Sequence, residues 1–135
     1  MRIVIDTSVL ISALITADTP PDLLYQAWKN ARFELITSQA QLDEVTRVSG
    51  YKKLQRFITP SDVADLLSTI DSCATILTEL PAVSFSPDPN DNHIIAAAMV
   101  GTADFIVSGD KQHLLSLQEV AGIPIITARQ AMERL

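Results

Sequence analysis

The sequence predicts an α/β fold, a parallel sheet with helices on both faces, and three observations carry that expectation. Short runs rich in β-branched and apolar residues recur at 3–5, 33–37, 75–77, 105–107 and 124–126. Segments with apolar residues at helical spacing lie between them, so strands and helices alternate as in βαβ units. The runs at 3–5 and 105–107 are continuously apolar, as in strands buried on both faces of a parallel sheet. Each is followed by an aspartate, Asp6 directly and Asp110 after Ser108-Gly109.

At 135 residues the chain is expected to form one domain, residues 1–135, with a core of its own. Hydrophobic residues make up 47% and mean hydropathy is +0.23, yet no apolar run approaches the roughly 20 residues of a membrane span. No membrane association is expected. Met1-Arg2 leads straight into the first strand, leaving no room for a signal peptide, and the single Cys73 allows no internal disulfide. Both point to the cytoplasm. A net charge of -6 argues against a protein that coats nucleic acid electrostatically. A cluster of metal-binding carboxylates would also make a chain acidic, so the placement of the ten Lys and Arg residues matters more than their sum.

The elements follow in order. After the first strand, residues 8–15 form a short helix before a polar break that ends in Pro20-Pro21. These prolines and Asp22 open an amphipathic helix to about Asn30, with Leu23, Leu24, Ala27 and Trp28 on its apolar side. After the strand at 33–37, Ser38 caps the third helix and Gln41 completes a capping box. Leu42, Val45 and Val48 form that helix's apolar stripe, and Gly50 ends it. Glu44 projects about 40° from Val48, at the stripe's edge. A short basic helix or turn at 51–57 carries Lys52, Lys53 and Arg56. Thr59-Pro60 then starts a helix with Val63, Leu66, Leu67 and Ile70 at helical spacing. An irregular proline-rich stretch at 80–89 precedes a nearly all-apolar helix at 92–100, stopped by Gly101. A short helix at 111–117, the strand at 124–126 and a last helix capped by Thr127 with Gln130 complete the chain. Right-handed crossovers bring the strand ends carrying Asp6 and Asp110 to one edge of the sheet.

Four carboxylates fall where this topology could assemble them: Asp6 after the first strand, Glu44 on the third helix, Asp91 entering the buried helix, and Asp110 after the fourth strand. Hard divalent cations such as Mg²⁺ or Mn²⁺ take oxygen ligands, so three or four carboxylates at one sheet edge suit them. Without metal such a cluster repels itself and raises some pKa values. On that basis Asp110→Asn is expected to leave the metal-free protein as stable or more so. Each acid also has an ordinary structural reading. Asp6 could cap the helix that follows, and Glu44 could be a solvated residue paired with Arg47. Asp88-Pro89-Asn90-Asp91 reads as a helix start with Asp88 as cap, and Asp110 could be a turn residue.

The wording Ile5-Asp6-Thr7-Ser8-Val9-Leu10, then Ser38 with Glu44 on the next helix, resembles a PIN domain. So do Asp88-Pro89-Asn90-Asp91-Asn92 before an Ala-rich helix, and Val107-Ser108-Gly109-Asp110. The similarity runs along nearly the whole chain and is strongest to the branch that supplies toxins of prokaryotic toxin–antitoxin pairs. That resemblance implies a three-layer α/β/α sandwich and a Mg²⁺- or Mn²⁺-dependent ribonuclease. The family's acidic quartet carries over to Asp6, Glu44, Asp91 and Asp110, as metal-holding and catalytic residues. Ser8 and Ser108 stand where the family often has a hydroxyl or amide supporting the first and last carboxylates, and Asp88 is an additional acid. An RNA substrate and a small antitoxin partner are likewise implied, and a homodimer or higher homo-oligomer is a further expectation.

Arg47, Lys52, Lys53 and Arg56 are the only concentrated positive charge and lie just beyond Glu44, so they could steer a phosphate backbone as readily as form a solvated surface. His93, inside an apolar helix, reads as a buried, hydrogen-bonded residue, and His113 has no matching partner in sequence. Tyr25 and Trp28 read as core or interface, Cys73 as a small buried hydrophobe. Two alternatives to a ribonuclease stand beside it. One is a catalytically weak PIN relative that binds RNA or protein. The other is a receiver-like signalling domain, disfavoured by the single acid after the first strand and by Thr127-Ala128 in place of a lysine after the last.

Overall fold

A computed structural model describes residues 1–135. Six strands form one sheet in the order β3-β2-β1-β4-β6-β5. They are β1 (Arg2–Ile5), β2 (Glu34–Ser38), β3 (Thr75–Leu77), β4 (Phe105–Val107), β5 (Glu119–Val120) and β6 (Ile123–Ile126). The helices are α1 (Thr7–Ile15), α2 (Pro20–Lys29), α3 (Gln39–Ser49), α4 (Pro60–Cys73), α5 (Asn92–Val100), α6 (Leu114–Leu117) and α7 (Ala128–Arg134).

The central strands are parallel and buried on both faces, because their side chains alternate between two cores. Ile3, Ile5, Leu35, Phe105 and Val107 point into the larger core, with Leu24, Trp28, Val45, Leu66 and Ile70 from the helices on that side. Val4, Ile36 and Ile106 point the other way, onto Ile94, Ile95, Ala97 and Ala98 of α5 and Leu114 of α6. Two helical layers and a sheet thus make the three-layer α/β/α sandwich the sequence implies. Tyr25 and Trp28 are core residues, their ring centroids 5.7 Å apart.

The strand order reverses at β1: the chain runs outward through β2 and β3, then returns to β4 on β1's other side. Such a reversal leaves a crevice beyond the carboxyl ends of the two diverging strands. Here those strands pair Ile3 with Phe105 and Ile5 with Val107, so the residues that follow each emerge side by side. The backbone N–H of Asp6 extends the ladder by donating to Val107 O at 2.9 Å.

Four expectations need correction. The sheet is not wholly parallel, since β5 pairs antiparallel with β6 at the edge. A two-residue turn joins them, with positive φ at Ala121 (50°) and Gly122 (79°), the sign both central residues of a type I′ hairpin need. Ala-Gly is a weaker signal than Asn-Gly, which is why the turn is easily read as a loop. The expected helix at 111–117 is helical only over Leu114–Leu117; residues 111–113 form a turn in which the Asp110 carboxylate accepts from the N–H groups of Gln112 and His113. Ser38 does cap α3, accepting from Gln41 N at 3.1 Å. The Gln41 side chain, however, does not return to Ser38; it is buried, bonds Thr37 Oγ1 and donates to Ile5 O at 2.6 Å, which ties α3 to β1. Cys73 is exposed at the last residue of α4.

Gly101 caps α5, but with φ -79°, a conformation open to any residue. Its requirement is space: a Cβ there would lie 2.5 Å from Ile36 Cγ2 and 2.9 Å from Ala97 O. The turn from α5 to β4 therefore presses directly on β2. Gly101→Ala should destabilise the fold by about 1–3 kcal/mol through overpacking, seen as a lower urea midpoint with unchanged slope; an unaltered midpoint would refute the close approach.

Candidate functional site

Asp6, Glu44, Asp88, Asp91 and Asp110 line a single cleft of about 730 Å³ at the crevice between β1 and β4. Each acid is held by groups of its own neighbourhood.

Asp6 is buried, 6% exposed, at the N-cap of α1. One carboxylate oxygen accepts from Val9 N at 3.0 Å and from Ser8 Oγ at 2.8 Å; the other accepts from the hydroxyl of Ser108, on the far side of the β1–β4 pair. The structural and functional readings of this residue therefore coincide. Burial drives its pKa up, the three hydrogen bonds pull it back, and the charge of Asp110 adds to the rise. The resemblance gives Ser8 and Ser108 as supports of the first and last carboxylates. Both hydroxyls instead serve Asp6, and Ser108 Oγ accepts from the backbone N–H of Asp110 at 3.0 Å.

Glu44 is fixed between three elements. The hydroxyl of Thr7 bonds one oxygen, while His93 Nε2 lies 3.3 Å and Arg47 Nη2 3.8 Å from the other. Burial would raise its pKa, but the His93 contact, the Thr7 bond and the nearby charge of Arg47 outweigh that and hold the carboxyl low. The pairing with Arg47 expected from sequence is present, without leaving Glu44 solvated. His93, expected to be buried, is half-buried, and what it touches is a site carboxylate; its Nδ1 has no partner.

Asp88 caps a short 3₁₀ turn, Pro89–Asp91, by accepting from Asn90 N at 3.0 Å. Asn92 secures the preceding loop by accepting from Phe85 N and Ser86 N at 3.1 and 3.0 Å. Asp91 then sits at the N-cap of α5 without capping it, its carboxylate left to a 3.4 Å contact with Ser86 Oγ. Its pKa is pushed up to about 6, first by burial and then by the charges of Asp88, Asp110 and Asp6. This is where the self-repulsion of the cluster falls.

Asp110 is held by the turn that follows it and by a histidine. One oxygen accepts from Gln112 N and His113 N at 3.1 and 3.2 Å, and the other meets His113 Nδ1 at 2.9 Å. Against the partial burial that would raise it, the His113 bonds hold its pKa below the usual range. Its charge is thus favoured by its own His113 and backbone bonds while it repels Asp91 and Asp6, whose pKa values it raises. His113, partnerless in sequence, has a partner three residues upstream, and its own pKa rises through that bond. The signal was the Asp-x-x-His spacing around a turn. One donor atom each from Asp88, Asp91 and His113 lie within 4.8 Å of one another.

Arg47, Lys52, Lys53 and Arg56 are all exposed, and none of them lines the cleft; the cations that do are Lys111 and Arg129.

The donors gathered here are mostly carboxylate oxygens, and Asp91 carries the repulsion of three acidic neighbours, only partly offset by His113, an environment that a hard divalent cation relieves. The donor set fits such an ion. The family comparison agrees with the geometry: the PIN domain model matches residues 2–112, and the chain belongs to the PIN domain family. Members of that family are generally metal-dependent nucleases, so the fold implies hydrolase chemistry, a divalent metal and a nucleic-acid substrate. The receiver-like alternative lapses with that membership. No curated protein shows significant sequence similarity to the chain. No helix is long and apolar enough to cross a membrane.

The raised pKa of Asp91 sets a pH-dependent stability in metal-free protein. The folded state holds this proton more tightly than the unfolded chain, so the favourable contribution is complete below about pH 4 and lost as pH rises through about 6. Asp91→Asn should therefore raise the melting temperature in EDTA at pH 7.5, by about 3 °C for about 1 kcal/mol after allowance for solvent screening. The gain should vanish near pH 4. Melts of both proteins across that range would reject the assignment if the difference were constant with pH.

Proposed function

We propose that residues 1–135 act as one PIN-like domain, a Mg²⁺- or Mn²⁺-dependent endoribonuclease that serves as the toxin of a cytoplasmic toxin–antitoxin pair. In this reading Asp6, Glu44, Asp91 and Asp110 hold the cation, Ser8 and Ser108 keep Asp6 in place, and Asp88 adds charge at the rim. Arg47, Lys52, Lys53 and Arg56 contact the RNA backbone, a small antitoxin protein restrains the enzyme, and the chain self-associates into a homodimer or higher homo-oligomer. The observation that carries the proposal is the convergence of five carboxylates on one cleft, with the Asp91 pKa raised first by burial and then by three of its acidic neighbours.

When bound, the cation would lower the pKa of a coordinated water and offset the charge that develops on a phosphate under attack. The chain's own residues prepare for it. Three hydrogen bonds fix the Asp6 carboxylate, so little is lost in ordering it. His93 and Arg47 keep Glu44 ionised, and His113 does the same for Asp110. Ionised, oriented oxygens are what a hard cation selects.

A metal-titrated cleavage assay on mixed RNA tests this. The wild type should cut internally with Mg²⁺ or Mn²⁺ and stop in EDTA. Asp6→Asn should lose at least about a hundredfold in rate and most of the metal-induced rise in melting temperature, since that rise follows affinity for the native state. Cleavage that survives EDTA, or an Asp6→Asn protein as active as the wild type, would sink the proposal. Expression of the wild type should arrest bacterial growth while expression of Asp6→Asn should not.

A further inference from the structure

Of the chain's ten Lys and Arg residues, two line the acidic cleft: Lys111, directly after Asp110, and Arg129, in the first turn of α7. Four of the others are already engaged: Arg47 with Glu44 at 3.8 Å, and, away from the cleft, Arg2 with Glu34 at 3.3 Å, Lys29 over the Tyr25 ring at 5.3 Å and Arg134 over the Phe105 ring at 5.7 Å. Lys111 and Arg129 are exposed and belong to no ion pair. Arg129 is also out of place for its own helix. A cation in a first turn meets the positive end of the helix dipole, and the last turn of α7 already has Arg134 where a cation is favoured. Helix stability therefore does not account for Arg129. A residue that breaks a local rule without local compensation points to a use elsewhere.

The cleft supplies one. A polyanionic strand approaching a protein of net charge -6, and a cleft with five carboxylates, is repelled unless cations at the cleft itself receive its phosphates. We infer that Lys111 and Arg129 form the phosphate-binding pair of the cleft, holding the RNA backbone next to the acids from the β4–α6 turn and the start of α7. This rests on the ribonuclease reading and adds to it the positioning groups that bring substrate to the site. The exposed cations at 47–56 stand outside the cleft and would act on a longer strand, before or after it.

The test is binding and turnover of a fluorescent single-stranded RNA by wild type, Lys111→Ala/Arg129→Ala, Lys111→Arg/Arg129→Lys and Lys52→Ala/Lys53→Ala/Arg56→Ala. Circular dichroism and the metal-induced rise in melting temperature serve as controls for folding and for the acids. The Ala pair should weaken binding roughly tenfold at about 0.1 M salt and flatten the plot of log Kd against log salt by about 1.4, the release of two phosphate contacts from a single strand. It should raise KM more than it lowers kcat and leave the metal-induced rise unchanged. The charge-conserving pair should restore the salt slope. If the wild type binds and cleaves RNA but the Ala pair keeps its affinity and slope, the inference is wrong while the ribonuclease reading stands. If the wild type neither binds nor cleaves RNA, the reading falls and the inference with it.

Discussion

The cleft depends on the pairing of β1 with β4. The two strands leave the sheet side by side because Ile3 and Ile5 are in register with Phe105 and Val107, and the chain order reverses between them. Asp6 and Ser108 then meet across that pair, and the Ser108 hydroxyl bonds the Asp6 carboxylate while accepting from Asp110 N–H. A shift of one residue in this register would turn Ile3 and Ile5 to the opposite core and separate Asp6 from Ser108. The packing of both cores thus fixes the position of the first carboxylate. Its stability and its orientation have the same origin.

The helices join the site through single polar side chains. Gln41 carries α3 to the β1 carbonyl at Ile5, which sets the height of that helix against the strand end. Glu44, one turn further on, reaches Thr7 of α1 and His93 of α5. Three elements on two sides of the sheet are therefore coupled at one carboxylate. On the other flank, Asn92 ties the proline-rich loop to the start of α5, so Asp88 and Asp91 are delivered by backbone geometry rather than by long, mobile side chains. The acids divide into two electrostatic kinds. Glu44 and Asp110 have basic partners and are held ionised, whereas Asp91 faces other acids and is held partly protonated near neutrality. Competition between a proton and a cation falls on Asp91 and on buried Asp6, whose pKa is also raised.

Much of this was legible in the chain. The β-branched runs, the helical spacing between them and the aspartates that end β1 and precede α5 were enough to anticipate the layers and the acids, because strand burial and helix amphipathicity are local periodic signals. The caps at Ser38, Thr59, Asp88 and Thr127 are local for the same reason. What failed locally was instructive. Gln41 looked like half of a capping box, yet a neighbouring strand offered its amide a better carbonyl. Ala121-Gly122 formed a tight hairpin without the usual Asn-Gly, and Gly101 was needed for room against Ile36 rather than for its φ angle.

By itself, then, the sequence determined most of the strands and helices, most of their buried residues (Leu23 and Cys73, both exposed, are exceptions), and which acids stand at strand and helix ends. All of these follow from contacts within a few residues. The tertiary structure alone decided the distant partners: that Ser108 serves Asp6, that His93 belongs to Glu44, and that Arg129 rather than the basic stretch at 47–56 lines the cleft. These depend on distances between residues tens of positions apart in the chain. Such distances are set by strand register and helix packing, which no local pattern encodes.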